Sequence, residues 1–405
     1  MRVKLGEVFE SQIAGEWGNE CAENENGTKV LRTTNFTQEG RINYDDVVIR
    51  SINQSKVEKK RLHYGDIILE KSGGTEKTPV GRVVFCDEAI EDSVYLCNNF
   101  TQAMRVNQSI ASPKYVFYYM WNFHCSGKTE LLQNKTTGIR NLQVRLYLDL
   151  SIPLPPLETQ RHIAAVLDKV SALIALRRQQ LDKLDELVKA RFVEMFGDPM
   201  MNPHNLPKVI LGSVLTIEPQ NGLYKPQSDY VSDGTGVPIL RIDSFYDGRV
   251  SNFSSLKRLI CSEIELKRYS LYENDIVINR VNSIEYLGKC GLIRGLVENT
   301  VFESNMMRLH VDEHKFHPVY ITKLLCSQFI YQQILKRAKK AVNQASINQK
   351  DVQSFIVYMP SMERQEQFAA IVDQTEKTKA AVQQALEKLE TMKKALMQEY
   401  FGGEV

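Results

Sequence analysis

The sequence has no run of apolar residues that approaches the ~20 needed to cross a bilayer, and its opening, MRVKLGEVFE, is charged from the second position. We therefore expect a cytoplasmic protein. Its seven cysteines are scattered and never spaced as CxxC, which disfavours a zinc module or a disulfide framework. The remaining composition, 405 residues of which 43% are hydrophobic, allows about two to four domains.

The signature motifs of several catalytic classes are also missing. The only Pro-Pro pair, Pro155–Pro156, follows Leu154, so the Asn or Asp of an adenine methyltransferase motif is absent. The segment GTEKTPVGR has no Lys after its second glycine and therefore fails as a P-loop. There is no HExxH, no GxSxG and no cluster of acids and lysine typical of a restriction nuclease. The sequence predicts a non-catalytic protein that binds no metal or cofactor of its own.

Strong charge of one sign is lacking as well, since the net charge is +2. Lys and Arg exceed Asp and Glu only in residues 201–350, where they number 19 against 14. Within that region, LKRAKKAVNQASINQ (335–349) concentrates four cations. Such a basic helix end is usually a solvated face, and only its context can indicate a phosphate contact.

What the sequence does contain is an internal duplication. PPLETQRHIAAVLD, from Pro155, is repeated 205 residues later as PSMERQEQFAAIVD, from Pro360. The alignment runs without a gap to Gly197 and Gly402. Upstream, LRTTNF corresponds to LRIDSF and GDIIL to NDIVI. A whole half of the chain is therefore duplicated, with a period far too long for a solenoid.

The duplicated ends predict two long helices, each beginning after proline and ending at glycine. Roughly 40 residues at ~1.5 Å each would give helices of about 60 Å. Apolar residues at heptad spacing predict a coiled-coil seam that also docks partners, although Lys379 and Lys393 interrupt the second stripe. The seam comprises Leu167, Ile174, Leu181, Leu184, Val188, Val382, Leu386, Leu389 and Leu396.

Connectivity favours antiparallel pairing of these helices, because the second begins where the second half ends. The predicted fold class is α+β: two mixed α/β domains at opposite ends of a two-helix antiparallel coiled coil, related by a pseudo-twofold axis. Helix length would then set the spacing between the two domains. The predicted boundaries are 1–150 and 200–355 for the domains, and 151–199 and 356–405 for the helical arms.

Polar loops with cations mark both domains. Asn and Gln can bind adenine edges, Arg and Lys can bind guanine or phosphate, and glycine lets backbone amides approach closely. Turns attract the same residues, so each loop alone is weak support. The predicted DNA-binding residues are Arg32, Thr34, Asn35, Lys71, Ser72, Gly73, Gly74, Thr75, Arg82, Arg140, Asn141, Asn221, Tyr224, Lys225, Arg241, Asn279, Arg280, Asn282, Lys336, Lys339, Lys340, Asn343 and Asn348.

At SIPLPPLETQRHIAAVLDKV, MPSMERQEQFAAIVDQT, GDIILEKSGGTEKTPVGR and NDIVINRVNS, the chain resembles the specificity subunits of type I restriction-modification systems. The resemblance implies two target-recognition domains, each reading half of a split DNA sequence. It also implies a coiled coil that docks two methyltransferase subunits and, through them, restriction and translocase subunits. Those partners would use S-adenosylmethionine, ATP and Mg²⁺. The helix starts PPLETQ and PSMERQEQ differ, so the two docking surfaces need not bind equally.

Two alternatives remain open from the residues. The chain could be a stand-alone regulator that binds a bipartite DNA site without a partner. It could instead be a coiled-coil scaffold that recognises proteins, although the basic cluster and the Asn-rich loops argue against this. DNA binding with and without a methyltransferase subunit separates the three functions.

Overall fold

The computed structural model describes residues 1–22, 27–75, 78–136, 139–250 and 253–402. The chain divides into a first unit, Met1–Arg178 with the segment from Gln384 onward, and a second unit, Gln179–Gln383. The division falls within the two long helices, so each unit contains part of both. No helix among the described residues combines the length and the apolarity that a membrane crossing requires.

The first unit is built mainly of short strands. Its helices are α1 (Gln54–Lys60), α2 (Pro113–Cys125), α3 (Val144–Leu148) and the beginning of α4 (Leu157–Phe196). Its strands are β1 (Arg2–Lys4), β2 (Phe9–Ala14), β3 (Thr28–Leu31), β4 (Val48–Arg50), β5 (Ile67–Glu70), β6 (Ser72–Gly74), β7 (Val83–Phe85), β8 (Tyr95–Cys97), β9 (Thr101–Val106), β10 (Gln133–Thr136), β11 (Ile139–Leu142) and β12 (Ser151–Pro153).

A four-stranded antiparallel sheet, β2-β9-β5-β7, forms the centre of this unit. All four residues of β5 are buried, which explains why GDIIL is a continuous apolar run rather than an alternating one. The aromatic helix α2 packs against β7 of this sheet, where the ring centroids of Phe117 and Phe85 lie 5.7 Å apart. The smaller sheets are β4-β3-β8, β1-β12 and β10-β11-β6.

The second unit repeats this plan with further strands. Its helices are α5 (Glu263–Tyr269), α6 (Pro318–Leu325), α7 (Gln328–Arg337), α8 (Gln349–Gln353) and the beginning of α9 (Met362–Phe401). Its strands are β13 (Lys208–Ile210), β14 (Gln220–Asn221), β15 (Tyr230–Val231), β16 (Val237–Leu240), β17 (Phe245–Tyr246), β18 (Gly248–Val250), β19 (Arg258–Leu259), β20 (Ile276–Asn279), β21 (Val281–Asn282), β22 (Cys290–Leu292), β23 (Val301–Phe302), β24 (Met306–Leu309), β25 (Lys339–Lys340), β26 (Ala345–Ser346) and β27 (Ile356–Tyr358).

The central sheet of the second unit is six-stranded, in the order β14-β24-β20-β22-β18-β17, and β20 is buried throughout like its counterpart β5. The remaining sheets are β15-β19-β16-β23, β13-β27 and β21-β26-β25. In both units, the first strand pairs antiparallel with the strand that leads into a long helix, as β1 with β12 and β13 with β27. The predicted duplication and the mixed α and β composition are therefore confirmed.

Within each unit, the two long helices pack together and run antiparallel. In the first unit, Leu167 shares a core with Met397, while Arg178 lies 2.8 Å from Glu390. In the second unit, Phe192 shares a core with Phe368, and Asp185 pairs with Lys379. In both, residue numbers rise along one helix as they fall along the other.

The predicted seam residues divide by depth. Leu167, Ile174, Val188, Val382 and Leu386 are buried, whereas Leu181, Leu184, Leu389 and Leu396 are half-buried. The two lysines that interrupt the stripe have local partners: Lys379 is buried beside Asp185, and the ammonium of Lys393 lies 4.3 Å from the Trp121 ring centroid.

In each unit, a buried glutamine joins the α/β domain to the start of the long helix. The side chain of Gln160 accepts a hydrogen bond from Ser112 N at 2.9 Å and donates to the carbonyls of Ile110 and Pro155. In the second unit, Gln365 accepts from His317 N at 2.8 Å and donates to the carbonyls of Lys315 and Pro360, which are the equivalent positions. Both amides are fully buried.

Candidate nucleic-acid interface

Each unit carries a small sheet made of one hairpin and the strand that follows the buried central strand. We call β10-β11-β6 the first hairpin sheet and β25-β26-β21 the second hairpin sheet. In the first, Asn141 lies opposite Asn134 on one side and Ser72 on the other. In the second, Ala345 lies opposite Lys340 and Asn282.

The two hairpin sheets occupy equivalent places in the duplication. The pair Asn134 and Asn141 becomes Lys339 and Ser346, with the same separation of 205 residues as the long helices. The backbone N–H of Leu142 donates to Lys71 O at 2.8 Å, and that of Ile347 donates to Arg280 O at 3.0 Å. The equivalence is therefore one of backbone geometry, since QNKTTGIRNLQV and AKKAVNQASINQ share few residues.

A tight turn closes the second hairpin sheet. The N–H of Ala341 donates to Gln344 O at 2.7 Å, which places Val342 and Asn343 at the two corners. Both corner residues are exposed. In the first hairpin sheet, the corresponding residues 137–138 lie outside the described residues.

Five cations on or near the hairpin sheets have no acidic partner within the described part of the chain. Lys336, at the end of α7, and Lys339 and Lys340, on β25, are exposed and lie within 4.0 Å of no described carboxylate oxygen. The same holds for Lys71 and Arg140, which are half-buried. An unpaired cation keeps its whole charge available to an anionic partner, so these five residues form the electropositive part of the candidate site.

Cations predicted on other elements of the first unit are already paired. Arg32 lies 2.8 Å from Asp46, and Arg82 binds both carboxylate oxygens of Glu70. The Glu70 hydrogen bond raises the pKa of Arg82. Their charges are therefore largely neutralised at short range.

Two predicted cations of the second unit are also paired. Lys225 lies 3.0 Å from Glu265, whose pKa falls to about 2 because it accepts a hydrogen bond from Ser262 N–H and pairs with Lys225. Arg241 lies 3.6 Å from Glu303. Burial raises the pKa of Glu303.

The predicted amides and hydroxyls also divide by what they contact. Asn35 is buried and donates to the carbonyls of Asn43 and Asp46, so its side chain fixes its own loop. Asn348 caps α8 through Asp351 N–H. Thr75 is exposed and bonds Thr78, Asn141 accepts from the Ser72 hydroxyl, and Asn282 accepts from Ser283 N–H. The exposed residues Thr34, Gly73, Asn221, Tyr224 and Asn343 offer unobstructed surface, whereas Gly74 is buried.

Asn279 and Arg280 connect the buried strand β20 to the second hairpin sheet. Asn279 is fully buried and donates to Tyr286 O at 3.5 Å, while its Oδ1 has no hydrogen-bond partner among the described residues. Arg280 donates to Ser304 O at 2.9 Å. Both side chains therefore bond neighbouring backbone segments of the same unit.

One exchange between the repeats changes the local chemistry. Glu70 of the first unit corresponds to Asn279, because each bonds the backbone of a glycine and of the cation after it, Gly81–Arg82 and Gly288–Lys289. Arg82 donates hydrogen bonds to both oxygens of the Glu70 carboxylate. Without that acid, Lys289 stacks on the exposed ring of Tyr246 at 3.3 Å, and burial lowers its pKa.

The structure thus places about half of the predicted residues on the hairpin sheets or close to the ends of their strands, and the others lie on separate turns and strands. It also adds two exposed residues that the sequence analysis omitted: Phe100, beside Gly73, and Val342. No signal in the sequence indicated Val342, because QNKTTGIRNLQV and AKKAVNQASINQ share too few residues for the repeat to be recognised there. No cluster of metal-ligating side chains is found in the described ranges.

The sequence is similar to characterised proteins across almost its whole length. The family of the type I restriction modification DNA specificity domain matches residues 1–186 and again residues 203–391. The EcoKI specificity subunit of Escherichia coli K12 is 26% identical over 403 residues, covering 93% of this chain and 82% of that protein. The StySPI specificity subunit of Salmonella potsdam is 24% identical over 397 residues, with the same coverage.

Solved structures have the same fold. The crystal structure of a type I restriction-modification S subunit from M. genitalium has a TM-score of 0.62 at 13% identity, covering 100% of this chain and 96% of that one. A chain from a structural study of complex assembly in a type I system has a TM-score of 0.52 at 17% identity, covering 100% and 98%. At these identities, the likeness shows the fold alone.

Proposed function

We propose, since this chain belongs to the family of type I restriction-modification DNA specificity proteins, that it reads a bipartite DNA target for such a complex. The chain is a specificity subunit and not a catalytic one, as the sequence analysis predicted. The observation that carries the proposal is the repeated hairpin sheet. Each unit presents unpaired cations beside amide or hydroxyl groups at the same place in the duplicated frame.

Each hairpin sheet would contact one half of the target. Unpaired cations supply the attraction to phosphates, and amide and hydroxyl groups supply hydrogen bonds to base edges. In the first unit the contacts would come from Lys71, Ser72, Gly73, Thr75, Arg140 and Asn141. In the second they would come from Asn282, Lys336, Lys339, Lys340 and Asn343.

The remaining predicted residues would act in two other ways. Arg32, Arg82, Lys225 and Arg241 are ion-paired, and Asn35, Gly74, Asn279, Arg280 and Asn348 shape the loops, so we assign them to positioning. Thr34, Asn221 and Tyr224 are exposed on other elements and could contact flanking DNA. The unpaired hairpin residues are therefore the strongest candidates for DNA contacts.

The long helices would dock the methyltransferase subunits. Besides its packed stripe, α4 leaves Leu173 and Leu176 exposed in the first unit, and Leu187 and Val193 exposed in the second. Exposed leucines repeated on a helix are a typical docking surface for another protein. The catalytic partners would bring S-adenosylmethionine for methylation and ATP with Mg²⁺ for translocation and restriction, which this chain does not itself bind.

Sequencing of methylated adenines tests the proposal. The full chain is co-expressed with its methyltransferase subunit, and methylated sites are compared with those of cells lacking this chain. We expect one split motif, present only with both proteins. Absence of any new methylated motif from a folded complex would contradict a role in target recognition.

A DNA-binding titration separates the alternatives. We expect tight, sequence-dependent binding by the complex and weaker binding by the isolated chain, because partner subunits add contacts. Equal and full affinity without a partner would favour a stand-alone regulator. Absence of DNA binding in both preparations would favour a protein scaffold.

A further inference from the structure

The tip of the second hairpin sheet carries two residues that turn chemistry does not explain. Val342 has 97% of its surface exposed, at the corner of a tight turn where Gly, Asn, Asp and Ser predominate. Asn is common at such corners because it tolerates a positive φ, yet Asn343 is not among the residues with positive φ. Its side chain also makes no hydrogen bond to the described residues.

The strand that leads to this tip, β25, consists of two lysines. Lys339 and Lys340 are successive residues of β25, so their side chains point to opposite faces of the hairpin. Both are exposed and unpaired, and Lys336 lies just before them. The hairpin therefore presents positive charge on both faces and an apolar and amide pair at its end.

The two-stranded form and the positive charge of the hairpin match the major groove of DNA. The major groove of B-DNA, about 12 Å wide, admits a two-stranded β-ribbon and is walled by phosphates on both sides. There, thymine offers a 5-methyl group to apolar side chains, and adenine offers N6 and N7 to the amide of Asn. A valine and an asparagine side by side are complementary to the two partners of an A·T pair.

We propose that the second hairpin is a ribbon that enters the major groove of the second half-site. Val342 contacts a thymine 5-methyl group, Asn343 hydrogen-bonds an adenine edge, and Lys339 and Lys340 contact the flanking phosphates. This rests on the proposed function and adds to it a specificity-determining residue, Val342. The recognised position is an A·T pair.

Base analogues test the two tip contacts separately. The full chain with its methyltransferase subunit is titrated with its target duplex, in which each thymine of the second half-site is replaced in turn by deoxyuridine. Loss of one methyl contact should weaken wild-type binding about 3- to 5-fold at one position, from a transfer energy of about 0.8 kcal/mol per buried methylene-sized group. V342A should bind more weakly than wild type and should respond less to that replacement, because the shorter Ala side chain makes less contact with the methyl group.

The asparagine contact is tested in the same way with 7-deazaadenine, which lacks the N7 acceptor. One such replacement should weaken wild-type binding about 5- to 100-fold and should have no effect on N343A. V297A is the matched control, because Val297 is 68% exposed in another loop of the same unit. It should respond to both analogues as wild type does.

Three results would overturn the inference: a second half-site without an A·T pair, wild-type affinity unchanged by every analogue, or variants that keep the wild-type responses. Circular dichroism of V342A and N343A should match that of wild type, because neither side chain is packed. If wild type itself shows no sequence-dependent binding, the proposed function fails. If wild type is specific and only the analogue responses are missing, the hairpin inference alone fails.

Discussion

Charge pairing is the feature that distinguishes single residues in this protein. Lys225 and Lys339 are both predicted DNA-binding residues, since both are lysines in polar segments of the sequence. In the structure, Lys225 pairs with two carboxylates, while Lys339 is exposed and unpaired. A paired lysine gains little from a phosphate, because it must give up a favourable interaction to bind one. Whether a cation is ion-paired is therefore a better guide to a DNA contact than its residue type.

Replacing Lys336, Lys339 and Lys340 by Gln should weaken DNA binding and make the affinity depend less on salt concentration. Each lost phosphate contact should reduce the slope of log affinity against log salt concentration by roughly 0.9. The control removes the same charge from other elements of the second unit, through Lys257, Lys267 and Lys315 to Gln. Equal slopes for the two triple variants would indicate that the hairpin lysines face solvent and make no phosphate contacts.

Replacing Asn282 by Ala should alter base preference rather than overall affinity. Its backbone is fixed by pairing with Ala345, and its side chain lies at the edge where the second hairpin sheet begins. A lost base contact should cost about 1–3 kcal/mol at one position of the second half-site. Binding measured on duplexes changed one base at a time would show this. Uniform weakening on all duplexes would indicate a phosphate contact.

At the scale of elements, a buried glutamine amide fixes the α/β domain of each unit to its pair of long helices. Gln160 and Gln365 make the same three hydrogen bonds in the two units, to the turn before α2 or α6 and to the start of the long helix. Buried polar groups that are fully satisfied specify geometry more strictly than apolar contacts can. This explains why the glutamine recurs although its neighbours differ between PPLETQ and PSMERQEQ.

Q365L should destabilise the second unit strongly. It leaves the N–H of His317 and two carbonyl groups without partners, at about 1–3 kcal/mol for each buried group that stays unsatisfied. The midpoint of chemical denaturation, followed by circular dichroism, should fall. Q367L, exposed on the same helix, should leave the midpoint nearly unchanged. Similar behaviour of the two variants would show that the buried amide is dispensable.

The double variant L173E/L176E should lower the amount of methyltransferase that co-purifies with this chain from two subunits to one, because the second unit keeps its own exposed pair, Leu187 and Val193. Both leucines are exposed on α4, so their loss should not disturb folding, whereas carboxylates would be buried without partners in the docked complex. The control K169E/Q179E adds negative charge to exposed positions of the same helix. An unchanged ratio of methyltransferase to this chain in L173E/L176E would exclude this helix face from docking in the first unit.

At the scale of the whole molecule, the duplication gives two units with one backbone plan and different surface chemistry. The second hairpin carries Lys339 where the first has Asn134, and the buried Glu70 of the first unit becomes Asn279. The backbone plan is shared and the side chains at the candidate interface are not. Such a molecule suits a target whose two halves differ in sequence.

The two hairpin sheets should contribute independently to recognition. N141A should change preference in one half-site and N282A in the other, because the sheets belong to separate units. Their effects on binding free energy should add within about 0.3–0.5 kcal/mol in the double variant. Binding to duplexes altered in one half at a time measures this. A large coupling energy, or both variants acting on the same half, would contradict it.

The sequence alone determined the duplication, the two long helices, their antiparallel pairing and the family. These features rest on local periodicity, helix-end residues and chain connectivity, all of which are properties of order along the chain. It also named about half of the residues of the hairpin sheets, because loops rich in Asn, Gly and Lys are visible as composition. It could not separate Lys339 from Lys225, or Asn343 from Asn279.

Only the tertiary structure decided those distinctions. Burial of Asn279 depends on β20 being central in its sheet, and the pairing of Lys225 depends on Glu265, which lies 40 residues away in sequence. Likewise, the exposure of Val342 follows from a hairpin whose pairing with β21 joins residues more than sixty positions apart. Such long-range contacts leave no periodic trace in the sequence, because they are set by packing between elements rather than by the order of residues within one.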